Sequence, residues 1–149
     1  MNVDVGAART WALANVGRFK PNPCGPNRRF LIFDDWYPQE VEVIRQQIVK
    51  AFNLHSALTE PVYKDFCGFI TDGGFVHRHI DPNRGDLIHT RFNVLVSKPE
   101  VGGAAVINDV EVDVEEGGVW RCDAGRYYHS TTPVVGDKPR IVLSFGFLL

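Results

Sequence analysis

From Val62 onward the chain alternates apolar and polar residues in short runs, and turn-forming residues separate one run from the next. Side chains at i and i+2 leave a strand on the same face, so each run predicts a strand with two unlike faces. The predicted strands are VYKDFCGFIT (62–71), FVHRHI (75–80), TRFNVLVS (90–97), AAVIND (104–109), VEVDV (110–114), GVWRCD (118–123), RYYHST (126–131) and RIVLSFGF (140–147). Connectors such as DPNRGD, KPEVGG, DAG and PVVGDKP are rich in Gly, Pro and Asp. Upstream, RRFLIFDDWY (28–37) is extended and apolar, a further strand. Only PQEVEVIRQQIVKAFNLH (38–55) keeps a helical period, with Val41, Ile44, Ile48 and Phe52 in one stripe. Pro38 suits its first turn, and Asp34 or Asp35 can cap it.

One helix among many short strands, with no βαβ alternation, predicts a mainly β (α+β) fold: a double-stranded β-helix or jelly roll with one N-terminal packing helix. Residues 1–29, which include the Pro/Gly/Asn-rich stretch KPNPCGPN (20–27), are expected to form an arm or short helix and a loop. Residues 30–149 are expected to form the jelly-roll domain. A chain of 149 residues suits one domain, burying about 68–70% of its unfolded surface.

Composition then narrows the partners. Net charge is -2, which leaves no basic footprint for nucleic acid or an anionic membrane. No apolar run is long enough for a membrane span, and the N-terminus lacks the basic start of a signal peptide. Cys24, Cys67 and Cys122 are odd in number and form no CxxC pair, which argues against a disulfide framework. These features predict a cytoplasmic protein with reduced thiols, in a compartment where ferrous iron is available.

Candidate chemistry gathers on particular strand faces. His79 and Asp81 stand two residues apart and project together. On 90–97, Arg91, Asn93, Leu95 and Ser97 share one face and Phe92, Val94 and Val96 the other; on 140–147, Arg140, Val142 and Ser144 oppose Ile141, Leu143, Phe145 and Phe147. A water-accessible pocket between two sheets accommodates such groups, whereas a sealed apolar core penalises them. His-x-Asp followed by a distal His is the pattern of a 2-His-1-carboxylate facial triad, which binds Fe(II) and leaves coordination positions open. His129 is the candidate third ligand to His79 and Asp81. Arg140 follows His129 after one turn and can return beside the metal, where its fork suits the far end of a dicarboxylate.

Taken together, these residues resemble the Fe(II)/2-oxoglutarate-dependent dioxygenases, in their prolyl-4-hydroxylase-like branch. GGFVHRHID resembles the glycine-aromatic-His-x-Asp strand of that branch, VGGAAV its Gly-Gly turn, and VEEGGVWRCDAGRYYHSTTPVVGDKPRIVLSFGF its closing section. FLIFDDWYPQEVEVI is similar to the strand and helix that precede its barrel, so the resemblance spans about residues 30–147. It implies Fe(II) on His79, Asp81 and His129, 2-oxoglutarate as cosubstrate with Arg140 on its C5 carboxylate, O2 as oxidant and ascorbate as reductant. It further implies hydroxylation of an unactivated C–H bond, with release of succinate and CO2, on a small-molecule or peptide substrate such as an amino acid or a prolyl residue. The retained Asp81 favours hydroxylation, because related halogenases replace that carboxylate to admit chloride.

Two departures stand out. The family often has a tyrosine, where this chain has Ile70, to help hold 2-oxoglutarate; Tyr63, Arg91, Asn93 or Tyr128 can substitute. The only lid candidate is PNRGDLIH (82–89), so the substrate mouth is expected to be open. The competing reading is a cupin-like metal- or ligand-binding jelly-roll module, and His77-x-His79 is its possible ligand pair. That pattern wants a Glu shortly afterwards and IDPNRGD has none, so His77 is assigned to the pocket or to structure. His89 is expected in a loop or strand start, His55 at a helix cap or surface, Cys122 and Trp120 in the core or pocket wall, and Cys24 in a loop.

Overall fold

The computed structural model describes all 149 residues. Two helices, α1 (Gly6–Ala14) and α2 (Gln39–Ala51), accompany twelve strands. The first six strands are β1 (Lys20–Pro21), β2 (Arg28–Phe33), β3 (Leu58–Thr59), β4 (Asp65–Ile70), β5 (His89–Ser97) and β6 (Val101–Gly102). The rest are β7 (Ala105–Ile107), β8 (Val110–Val112), β9 (Val119–Cys122), β10 (His129–Thr131), β11 (Val134–Val135) and β12 (Arg140–Leu148). The large sheet runs β1-β2-β4-β12-β5-β9, with β3 also on β12. Facing it are the β10-β7-β8 sheet and the β11-β6 pair, which together complete the jelly roll expected from the sequence.

The two faces of the large sheet do different work. Phe92, Val94 and Val96 of β5, and Ile141, Leu143, Phe145 and Phe147 of β12, are buried against Val41, Ile44, Ile48 and Val49 of α2. Each such side chain contributes about 1.5–3 kcal/mol when fully buried. The core therefore lies between sheet and helices, outside the jelly roll, and the opposite face of the same strands is free to line a cavity. Val3, Val5, Ala8, Ala12 and Phe19 join that core, and Trp11 packs near Phe19 and Phe33 with ring centroids 6.2 and 5.8 Å away. Asp65 ties α2 to the sheet: its carboxylate accepts from Tyr37 Oη (2.8 Å), Arg45 Nε (2.8 Å) and Gly146 N (2.9 Å).

Three local expectations change. The second helix ends at Ala51, because Asn53 takes the left-handed region (φ 54°) and His55 lies beyond it, exposed. Neither Asp34 nor Asp35 caps that helix; Pro38 holds the cap position, and Asp34 pairs with Lys64 Nζ at 2.7 Å. Residues 75–80 form no ladder strand. They run as an extended segment with a single bridge, His79 to His129. The expected strands at 104–109 and 110–114 are present, shortened to β7 and β8 of a tight hairpin in which Asn108 and Asp109, at φ 51° and 62°, supply a type I′ turn.

Candidate active site

A cavity of about 410 Å³ opens between the two layers. Its floor is the pocket face of the large sheet, read across the strands in register. One row is Arg28 (β2), Ile70 (β4) and Arg140 (β12). A second row is Phe66 (β4), Ser144 (β12), Asn93 (β5) and Trp120 (β9). Residues of β7 and β10 form the roof.

His79, Asp81 and His129 converge on this cavity, with one potential ligand atom from each lying within 4.8 Å of the others. Backbone pairing sets their positions. His79 N donates to His129 O at 3.0 Å, His129 N returns the bond at 2.8 Å, and Asp81 N donates to Ala124 O at 2.9 Å. The extended backbone between His79 and Asp81 then directs both side chains to one side. His79 Nε2 lies 3.5 Å from Asp81 Oδ1, and His129 Nε2 lies 3.7 Å from Asp81 Oδ2.

The other ring nitrogens are anchored. His79 Nδ1 lies 2.7 Å from His77 O, and His129 Nδ1 lies 3.1 Å from Tyr127 O. A carbonyl oxygen only accepts, so Nδ1 carries the proton in both rings. The neutral ring then presents its Nε2 lone pair to the cluster, the arrangement that fixes metal-ligating imidazoles elsewhere. Burial opposes the charge on Asp81, but the adjacent His79, His129 and His89 hold its carboxyl below the usual range. The neighbouring Asp81 carboxylate favours protonation of His79 and raises it, whereas burial lowers His129. Two nitrogens and one anionic oxygen, preoriented and close together, form a donor set that fits Fe(II).

Arg140 is buried, and its Nε donates to Gly103 O at 2.7 Å. The Gly102–Gly103 turn permits this approach: both residues have positive φ (71° and 68°), and a Cβ on Gly103 would lie 2.7 Å from Pro99 Cγ. The guanidinium lies 6.0 Å from the Trp120 ring, and no carboxylate pairs with it. Burial, reinforced by the Arg28 charge, lowers its pKa from 12.5 to about 10.

The other expected pocket groups are present with different partners. Arg91 lines the cavity but is already paired: its Nη2 donates to Glu60 Oε2 at 3.0 Å and its Nη1 to Lys64 O at 2.9 Å. Asn93 and Tyr63 also line the cavity. His77 is exposed and lies outside the His79–Asp81–His129 cluster, its ring edge-on to Phe75 at 5.1 Å. The 82–89 segment folds back on itself through Arg84 and Leu87, and only Pro82 reaches the cavity. Burial pushes the Cys122 thiol up to about 12, so it stands in the wall as a neutral group.

Two residues of the site, Arg28 and Glu60, were not singled out by sequence, and a third, His89, was expected at a loop or strand start but not beside Asp81. Arg28 lines the cavity, and its Nε is buried without a partner. Glu60 is buried beneath the cavity floor and accepts from the amides of Val62, Tyr63 and Lys64 as well as from Arg91. His89 starts β5, is buried, and brings Nδ1 to 3.8 Å from Asp81 Oδ2. Only the RxFxI alternation of β2 hinted at Arg28, and it did not say which face meets the pocket.

No protein-family model matches the sequence, and no curated protein matches it either. Several solved structures are similar in fold. A prolyl-4-hydroxylase from Pseudomonas putida is 19% identical, covering 98% of this chain and 87% of that one, with TM-score 0.65. The viral collagen prolyl hydroxylase of Paramecium Bursaria Chlorella virus-1, in its 2-oxoglutarate complex, is 13% identical over 98% and 91% of the two chains, with TM-score 0.73. HygX from Streptomyces hygroscopicus, with nickel and 2-oxoglutarate bound, is 11% identical over 98% and 79%, with TM-score 0.68. The chain thus has the jelly-roll architecture of these prolyl hydroxylases and 2-oxoglutarate-binding proteins along almost its whole length.

Proposed function

We propose that this protein is an Fe(II)- and 2-oxoglutarate-dependent dioxygenase that hydroxylates an unactivated C–H bond of an amino acid or a peptidyl, prolyl-type residue, releasing succinate and CO2. The observation that carries the proposal is one cavity holding two imidazole lone pairs, one carboxylate and an uncompensated guanidinium, those of His79, His129, Asp81 and Arg140. A passive metal-binding module has no use for the last of these, because a buried unpaired cation is costly. Similarity in fold to prolyl hydroxylases, and to a protein holding nickel and 2-oxoglutarate, supports the same reading.

His79, Asp81 and His129 would hold the iron, which when bound supplies the activation of dioxygen. The chain's own contribution is positioning. Hydrogen bonds to His77 O and Tyr127 O fix the two imidazoles, so no ligand has to reorganise on binding. Arg140 takes the C5 carboxylate of 2-oxoglutarate in a charge-assisted fork. Arg91, neutralised by Glu60, supports the floor beneath it, while Asn93 and Tyr63 supply polar wall groups. Trp120 and Val142 give that wall its apolar part and keep water from the charged end of the cosubstrate.

Anaerobic addition of Fe(II) and 2-oxoglutarate should produce a weak visible charge-transfer band. Admitting air with amino acids or proline-containing peptides should then release succinate, faster with ascorbate present. Asp81→Ala should retain no iron after desalting, as read by metal analysis. Absence of both band and succinate in the unsubstituted protein would overturn the assignment, and so would full iron retention by Asp81→Ala.

A further inference from the structure

Four arginines contact the core or the cavity, and they divide into two kinds. Arg45 and Arg91 have acid partners, Asp65 at 2.8 Å and Glu60 at 3.0 Å. Arg28 and Arg140 have none. Each makes one hydrogen bond to a neutral protein oxygen: Arg28 Nη1 to Asn22 Oδ1 at 3.2 Å, and Arg140 Nε to Gly103 O at 2.7 Å. A guanidinium carries five N–H donors, so most of the donor capacity of both is unused, and Arg28 Nε is buried without any acceptor.

The sheet puts these two arginines side by side. Arg28 is opposite Ile70, and Ile70 is opposite Arg140, so all three lie in one row on the cavity face. Two strand spacings separate the arginine backbones by about 10 Å, a gap two long side chains can close from either side. Ile70 between them offers no hydrogen-bonding group. Burial lowers the pKa of both arginines, and Arg28 adds its repulsion to Arg140. Two like charges confined in one cavity with spare donors are stabilised by an anion placed between them.

We propose that Arg28 and Arg140 together grip a single carboxylate, with Arg28 as a second clamp on the distal end of a dicarboxylate. The inference rests on the cosubstrate reading given above. It assigns to Arg28 the hydrogen-bonding role that Ile70 cannot perform, and it makes the pocket selective for a ligand with a second carboxylate over one without.

Calorimetric titration of the intact protein loaded with nickel(II) tests this directly, using 2-oxoglutarate and 2-oxobutyrate. The second ligand keeps the chelating end and lacks the distal carboxylate. Arg28→Met should weaken 2-oxoglutarate binding by about ten- to a hundredfold, the range for losing hydrogen bonds to a charged group. It should leave 2-oxobutyrate within about twofold, and Arg28→Lys should recover part of the loss. Equal weakening of both ligands would mean that Arg28 only supports the wall, and unchanged 2-oxoglutarate binding would mean that it is idle; either result overturns the second clamp while leaving the cosubstrate reading intact. Failure of the unsubstituted protein to bind 2-oxoglutarate would overturn both.

Discussion

Arg140→Met should make the ligand-free protein more stable while removing its response to 2-oxoglutarate. Arg140 is 7% exposed, and its guanidinium has no counter-ion. Burial and the Arg28 charge lower its pKa from 12.5 to about 10, so the charged form sits in an unfavourable environment. At 1.36 kcal/mol per pH unit, that is about 3 kcal/mol against folding at neutral pH, where the group is charged in both folded and unfolded chains. Methionine fills similar space without the charge. The substitution leaves Gly103 O without its donor, a loss of about 1 kcal/mol, so the net gain is about 2 kcal/mol. With a urea slope of about 2 kcal/mol/M, the unfolding midpoint of the metal- and ligand-free protein should rise by about 1 M. Saturating 2-oxoglutarate with nickel(II) should then reverse the order. It stabilises the unsubstituted protein by about 2.7 kcal/mol at a hundred times Kd and gives the variant little. A ligand-free variant that unfolds at lower urea than the parent would refute the claim that this charge is held at a cost for the sake of a ligand.

Two further outcomes follow from the ion pairs. Glu60→Ala should destabilise the fold by about 3–5 kcal/mol in urea unfolding, because it strands the buried Arg91 charge and three backbone amides. Glu116 accepts from Arg9, Lys138 and the Lys98 amide; burial opposes its ionisation, but these partners hold its carboxyl below the ordinary 4.5. A depressed folded value contributes stability at pH above 4.5 that is lost as pH falls through that lower value, so Glu116→Gln should flatten the acid limb of a stability-against-pH curve while 2-oxoglutarate titrations stay unchanged.

The chemistry-bearing residues most legible in the sequence were those whose spacing is local. His79 and Asp81 alternate, and the two-faced patterns of β5 and β12 matched a sheet with core on one side and cavity on the other. The GGFVHRHID alternation misled in one respect, because it read as a ladder strand. The segment instead makes scattered bonds, to His129 O from His79 and to Cys24 O from His77, so it stays extended without a continuous partner. Arg28 was illegible for a different reason. Its place beside Arg140 depends on β2 pairing with β4 and β4 with β12, contacts far apart in sequence that no local period encodes. Glu60 likewise declares itself only once Arg91 arrives from a distant strand. The N-terminal residues read as an arm or short helix set off by the KPNPCGPN loop; residues Gly6–Ala14 are helical, and Val3, Val5, Ala8, Ala12 and Phe19 all reach the main core, which no local period announces.

A single sheet divides the labour here: the side chains that keep the protein folded press on the helices, and those that would meet a substrate point the other way. Substitutions at Asn93 or Trp120 can therefore reshape what the cavity admits with little penalty to folding, provided the Arg91–Glu60 pair beneath them is left in place. Such a scaffold is well suited to changing the ligands its cavity admits by a handful of replacements, and a library confined to Asn93 and Trp120 would be expected to yield mostly folded proteins.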